Sequence, residues 1–166
     1  MEDKNESNTA IRRLNAKCAS DDLKDKLMLF GQFVGDWDIV ECRNLKEDGS
    51  WENSKGEVHW GWILGGRAIQ DVWMSVPDMG TTVRFYDPKI DAWRSTWISP
   101  TQGVVREFIG REVGEEIVLE TKDSDGKPMN WIFYDIQKDS FRWRAERSSG
   151  SGKTWKITEE MLIVRQ

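Results

Sequence analysis

The chain has 166 residues, of which 38% are hydrophobic and 32% are charged, and its formal net charge is −5. This length predicts one domain with a substantial core, and the sequence lacks the apolar run of about 18 residues that a membrane-spanning helix needs. The acidic balance disfavours nucleic acid and anionic membrane surfaces as partners. The two cysteines, Cys18 and Cys42, are too few for a disulfide framework or a structural thiolate metal site, so we expect a reducing, cytoplasmic location and no bound metal.

Residues 1–20 are polar and mixed in charge, and they lack a hydrophobic period, which predicts a flexible tail. They also lack the apolar centre and cleavage site of a secretory signal. The domain itself is expected over residues 21–166. It begins with one short amphipathic helix, predicted from an N-cap, an acidic first turn and apolar residues at helical spacing: Ser20, Asp21, Asp22, Leu23, Leu27 and Phe30.

From Gly35 onward the hydrophobic period changes to two, and clusters of Gly, Asp, Asn and Ser recur about every ten residues. This pattern predicts about ten short strands. Connections this short join sequential neighbours as antiparallel pairs. We therefore predict an all-β fold, an up-and-down antiparallel barrel, in preference to a two-sheet sandwich that needs at least one long crossing connection.

Ten tryptophans are unusually many for a chain of this length. Several share a strand face with another aromatic or apolar residue, so most are expected to fill the barrel core. The functional alternative is that some line a cavity, because a barrel of this strand number can enclose more volume than its side chains fill. The residues predicted to bind a ligand are Trp60, Trp62, Gln70, Trp97, Trp131 and Trp143.

Three carboxylates share their strand faces with apolar residues and are predicted to point inward: Glu41, Asp71 and Asp135. Arg84 and Tyr86 form a candidate anion-binding pair on one face of their strand. A buried carboxylate with a raised pKa, together with Arg84 and Tyr86, would support general acid–base chemistry on a bound molecule. The alternative for each residue is a surface position or a structural ion pair.

His59 is the only histidine, which excludes a histidine-rich metal site and leaves a Ser-His-Asp triad without support. A haem-ligand role for His59 is a minor alternative to a surface or core position in a strand, and its role stays open. The sequence contains no phosphate-binding glycine loop followed by a helix. We therefore expect no cofactor.

The segment Gly35-Asp36-Trp37 resembles the G-x-W signature of lipocalins and the wider calycin superfamily. That resemblance implies that Arg165, in the last strand, packs over Trp37 through a cation–π contact. The chain is also similar to a bacterial lipocalin-like family of largely uncharacterised small proteins, which implies the barrel but no reaction. The segments that carry this likeness are Trp60 to Trp73, Tyr86 to Pro88, Trp93 to Trp97, and Phe141 to Trp143. Nitrobindin-like haem barrels share the architecture, but they use a histidine near the C-terminal end, where this chain has none.

Three functional hypotheses follow. The favoured one is binding of a small apolar or aromatic molecule in a tryptophan-lined cavity. The alternative is a cofactor-independent lyase, isomerase or cyclase that acts in the same cavity on a small organic acid or an aromatic, polyketide-like substrate, with Asp71, Arg84, Tyr86 and Glu41 as its catalytic groups. The third is a protein-interaction or oligomeric barrel, such as a homodimer, in which exposed tryptophans form a patch that pairs with another subunit.

Overall fold

The computed structural model describes residues 8–166. Ten antiparallel strands form the body of the molecule. They are β2 Gly35–Leu45, β3 Trp51–Ile63, β4 Ala68–Ser75, β5 Asp78–Asp87, β6 Ala92–Ser99, β7 Val104–Val113, β8 Glu116–Lys122, β9 Pro128–Tyr134, β10 Ser140–Ser148 and β11 Trp155–Arg165. Each strand pairs with the next along the chain, and β11 returns to pair with β2. The predicted all-β, up-and-down barrel of about ten strands is confirmed.

A short helix covers one end of the barrel, as predicted. A 3₁₀ turn over Asp21–Leu23 leads into α2, Lys24–Gly31, and the side chains of Leu27 and Phe30 are fully buried. The helix lies so close to the barrel wall that a Cβ on Gly31 would lie 2.6 Å from Trp62 Cζ2. We call this the closed end. In the part of the chain that the structure describes, no helix is both long and apolar enough to cross a membrane.

The predicted contact between Trp37 and Arg165 is confirmed at the closed end. The Arg165 guanidinium carbon lies 3.9 Å from the centroid of the Trp37 ring, and the indole N–H of Trp37 donates to the carbonyl oxygen of Phe33 at 2.7 Å. Arg165 also donates to the carbonyl oxygens of Val34 and Gln32, each at 3.2 Å. One arginine of the last strand therefore ties the entry of the first barrel strand to the end of α2.

The segment before the barrel differs from the predicted tail. Residues 1–7 lie outside the described residues, but α1, Thr9–Leu14, and β1, Asn15–Ala16, carry regular structure, and β1 pairs with Ile63 and Trp62 of β3. The backbone N–H of Ser20 then donates to the Gly66 carbonyl oxygen at 3.0 Å. These contacts are made by the backbone and need no hydrophobic period, which is why the pattern of side chains did not reveal them.

Candidate functional site

The barrel encloses a cavity of about 480 Å³ that opens at the end opposite α2. The strands alternate in direction, so the loops after β2, β4 and β6 all lie at this open end. Residues from these loops and adjoining strand ends, such as Asn44, Pro77 and Gln102, form the mouth. The helix fills the interior near the closed end only, and the remaining length of the barrel stays hollow.

Four tryptophans form a continuous series along the cavity wall, which we call the indole chain: Trp73, Trp97, Trp131 and Trp143. Successive ring centroids lie 5.9, 5.7 and 5.2 Å apart, and the rings meet edge to face. The four residues come from β4, β6, β9 and β10, so the chain spans a large part of the circumference. Edge-to-face contacts of this kind stabilise the arrangement beyond the area buried, and they give the cavity an aromatic wall.

An ion pair lies at the inner end of the cavity. Arg84 Nη1 and Asp71 Oδ2 are 2.6 Å apart, and both side chains are almost fully buried, with 2% and 5% exposed. The backbone N–H of Thr82 donates to the second Asp71 oxygen at 3.2 Å. The Arg84 guanidinium also stacks over the ring of Trp60 at 4.3 Å. Burial lowers the pKa of Arg84, whereas the Asp71 charge opposes that change. Because the two charges neutralise each other, the Asp71 carboxylate serves as the counter-ion of Arg84.

Three donors on side chains that line the cavity are buried without an acceptor among the described residues. They are the indole N–H groups of Trp60 and Trp73 and the Nε–H of Arg84. Buried polar groups are rarely left without a partner, because each costs roughly 1–3 kcal/mol when unsatisfied. These three atoms are themselves buried, so they lie behind the cavity surface and do not face a ligand in the lumen.

Glu159 and Arg106 also line the cavity, and sequence reasoning did not select them. Burial raises the pKa of the Glu159 carboxyl to about 7, and its hydrogen-bond partner is the Cys42 thiol at 3.9 Å. Burial and the nearby charge of Arg147 lower the pKa of Arg106. Glu159 alternates with Met161 and Ile163 along β11, so the period of two that selected Asp71 would also have found it.

Four of the six predicted ligand-binding residues line the cavity: Trp60, Trp97, Trp131 and Trp143. The other two do not. Trp62 packs beneath α2 at the closed end. Gln70 has the parity opposite to Asp71, so its side chain lies on the outer wall, where it donates to Thr81 Oγ1 at 2.9 Å. Trp62 lies too close to the closed end to reach the cavity, and Gln70 is on the outer face of its strand.

Of the three carboxylates predicted to point inward, Asp71 does so, and the placement of Glu41 and Asp135 is wrong. The pairing of β2 with β3 shifts between Ile39 and Cys42, and this bulge turns Glu41 to solvent. Asp135 lies beyond the end of β9 with a φ of 48°, and its side chain is 71% exposed. A bulge and a loop therefore end the alternation on which both predictions depended.

Tyr86 is on the same strand face as Arg84, but it does not reach the cavity. It lies two residues nearer the closed end, where its hydroxyl donates to Asp91 and the Lys26 nitrogen lies 5.5 Å from the centroid of its ring. The hydrogen bond to Asp91 raises the pKa of the Tyr86 hydroxyl. The predicted Arg84–Tyr86 pair is therefore not formed in the cavity.

His59 lies on the outer wall, because its neighbours Val58 and Trp60 take the inward positions of β3. Its Nδ1 is 2.7 Å from Asp36 Oδ1, and this contact raises the pKa of the imidazole. A ligand held inside the barrel cannot be reached from this position.

Comparison with known proteins supports the barrel fold. No family model matches the chain, and no curated protein matches it. Several solved structures resemble it, among them the following two. The S-type phycobiliprotein lyase CPES from Guillardia theta aligns with a TM-score of 0.55 and 12% identity, over 84% of this chain and 91% of the lyase. Rv2717c from M. tuberculosis aligns with a TM-score of 0.58 and 13% identity, over 85% and 97% of the two chains. At identities this low, the likeness shows a shared barrel fold and no more; membership of the bacterial lipocalin-like family stays a prediction.

Proposed function

We propose that this protein binds a small apolar or aromatic molecule in the open half of its barrel. The observation that carries the proposal is the cavity of about 480 Å³ walled by the indole chain. Pockets for small organic ligands usually occupy about 300–1,000 Å³ and combine apolar walls with a few polar groups. Glu159 and Arg106 supply polar groups on this wall.

A cavity-filling substitution tests this proposal. Val58 is 6% exposed and lines the cavity, whereas Val72, on the paired strand, points outward and is 43% exposed. Val58→Trp therefore adds an indole inside the barrel, and Val72→Trp adds the same group outside. With the neutral fluorescent dye Nile red as probe, we expect saturable binding by the wild type and by Val72→Trp, and at least about tenfold weaker binding by Val58→Trp. Equal binding by both variants would place the dye elsewhere.

The enzyme hypothesis keeps one specific observation in its favour, the Glu159 carboxyl with its pKa of about 7. A general base is most effective when its pKa lies near the working pH. Lyase activity belongs to the Guillardia theta protein, with which this chain shares only the barrel. If the cavity supports proton transfer, a bound compound with an acidic C–H group would exchange that hydrogen with deuterated water in the presence of wild type and not of Glu159→Gln. Equal exchange rates with wild type and with Glu159→Gln would contradict the enzyme hypothesis.

A further inference from the structure

Acidic side chains outnumber basic side chains on the cavity wall. Four are acidic, Glu52, Asp71, Asp78 and Glu159, and two are basic, Arg84 and Arg106. Asp71 and Arg84 neutralise each other at the inner end. Glu52 is paired at the mouth with Lys46, whose nitrogen is 3.0 Å away. The remaining wall charges, Asp78, Glu159 and Arg106, still sum to a negative charge when all are ionised. A low-dielectric cavity concentrates such a potential and attracts cations.

Glu159 has no counter-ion in direct contact, and the charge of Arg106 lowers its pKa but offsets only part of the effect of burial. Across the strand pairs it faces Ala145 and Asn44, and along its own strand Met161 is the next inward residue. Within residues 8–166, no basic nitrogen lies within 4.0 Å of its oxygens. An ionised carboxylate in such a wall is costly until it is paired, and burial raises its pKa for the same reason. A cation supplied by a ligand would remove that cost.

The indole chain provides the second half of such a site. Tryptophan attracts cations more strongly than the other aromatic residues, through the negative face of its ring. Trp143 of β10 pairs with Met161 of β11, and Glu159 follows two residues away on the same inner face. An organic cation near Glu159 therefore has an aromatic wall beside it.

Resting on the binding function proposed above, we infer that the cavity selects an organic cation, an amine whose aromatic or apolar body lies against the indole chain and whose protonated nitrogen lies beside Glu159. Arg106 is the group that opposes this ligand. It projects from β7, across the lumen from β11, and it already experiences the repulsion of Arg147. Glu159 and Arg106 are thus expected to have opposite effects on the affinity for the same organic cation.

Four compounds with the same indole body separate the effect of charge from that of shape: neutral indole, cationic tryptamine, anionic indolepropionate and zwitterionic tryptophan. Their affinities can be measured by calorimetry or by displacement of Nile red. We expect tryptamine to bind the wild type about tenfold more tightly than indole, and indolepropionate to bind more weakly than indole. Tryptamine and indole binding with equal affinity, or tryptophan or indolepropionate binding most tightly, would overturn the inference.

Variants of the two wall residues test the assignment to Glu159. Glu159→Gln should weaken tryptamine binding about tenfold and leave indole binding within about twofold, whereas Arg106→Gln should strengthen tryptamine binding. The matched control is Glu160→Gln, because Glu160 lies on the outer wall and pairs with Arg43. Equal losses of tryptamine binding in Glu159→Gln and Glu160→Gln would overturn the assignment. Circular dichroism and thermal unfolding confirm that each variant is folded.

The pH dependence supplies an independent readout. Tryptamine binds the ionised carboxylate more tightly, so its affinity should rise by about tenfold in all as pH increases toward 7, and then level off. Indole affinity should stay constant over the same range. A parallel change for both compounds would overturn the inference and leave the binding function in place. Failure of the wild type to bind Nile red or any of the four compounds would instead remove the binding function itself.

Discussion

The two ends of this barrel use the same kind of residue for different purposes. At the closed end, aromatic rings pack against one another around Phe30, which lies 4.9 Å from Trp93 and 6.2 Å from Phe33, measured between ring centroids. At the open end, the indole chain lines a cavity of about 480 Å³. The difference lies in α2, which places Leu27 and Phe30 inside one end and leaves the other without a plug. Aromatic content alone therefore does not distinguish core from cavity; the position of the helix decides.

The largest expected loss of stability follows from breaking the ion pair that lies between the two regions. Asp71→Ala leaves the Arg84 charge buried without a partner, and we expect the free energy of unfolding to fall by about 3–5 kcal/mol. Urea unfolding measures this loss. The control is Lys46→Ala, which breaks a pair whose side chains are 47% and 59% exposed and should cost less than about 1 kcal/mol. A double variant, Asp71→Leu with Arg84→Met, should recover most of the loss, and its failure to do so would contradict this account.

Truncation of one aromatic residue in each region tests the comparison itself. Phe30 is fully buried, and its ring centroid lies 4.9 Å from that of Trp93, so Phe30→Ala should destabilise the protein by about 3–5 kcal/mol. Trp73 borders the cavity and is only partly buried, so Trp73→Ala should cost about 1–3 kcal/mol while weakening Nile red binding. Equal stability losses, measured by urea unfolding, would mean that both regions are packed alike.

Arg165→Met tests the closure of the first strand by the last. The substitution removes the contact with Trp37 and the hydrogen bonds to Val34 and Gln32, and we expect it to cost roughly 2–3 kcal/mol in thermal or urea unfolding. Ligand binding should stay unchanged because this contact lies at the closed end. Loss of Nile red binding at a temperature where the variant is folded would show that the two ends are coupled.

The smallest expected effect is a change in the pH dependence of stability. The pKa of Glu159 is raised to about 7 in the folded protein, so between its unfolded value near 4.5 and 7 the folded state binds the additional proton. The contribution of Glu159 to stability is therefore most favourable below about pH 4.5 and is lost as the pH rises to 7. Urea unfolding of wild type and Glu159→Gln at about pH 5 and about pH 8 should show the variant gaining relative stability at the higher pH. A constant difference would contradict the raised pKa.

The fold was predictable because hydrophobic alternation and turn residues report directly on strands and hairpins. The contact of Arg165 with Trp37 came from the resemblance to the calycin signature. The site was only partly predictable, since parity reports the face of a strand but not the depth along the barrel. Trp62 and Tyr86 are thus on the inner face yet lie at the closed end.

Bulges set a second limit on prediction. The irregularity after Ile39 turns the side chain of Glu41 to solvent. Bulges depend on the pairing of two strands, so the sequence of one strand alone does not reveal them. Glu159 is a different case, because its inward parity with Met161 and Ile163 is visible in the sequence.

The most direct test of a solid closed end and a binding open end uses the indole N–H signals of the ten tryptophans in a ¹⁵N-correlated NMR spectrum. Titration with tryptamine or neutral indole should shift the signals of the cavity-lining residues Trp60, Trp73, Trp97, Trp131 and Trp143. The signals of Trp37 and Trp93 at the closed end, and of the exposed Trp51 and Trp155, should stay in place. Shifts confined to Trp51 and Trp155 would contradict the account, because they would place the ligand on the outer surface of the barrel.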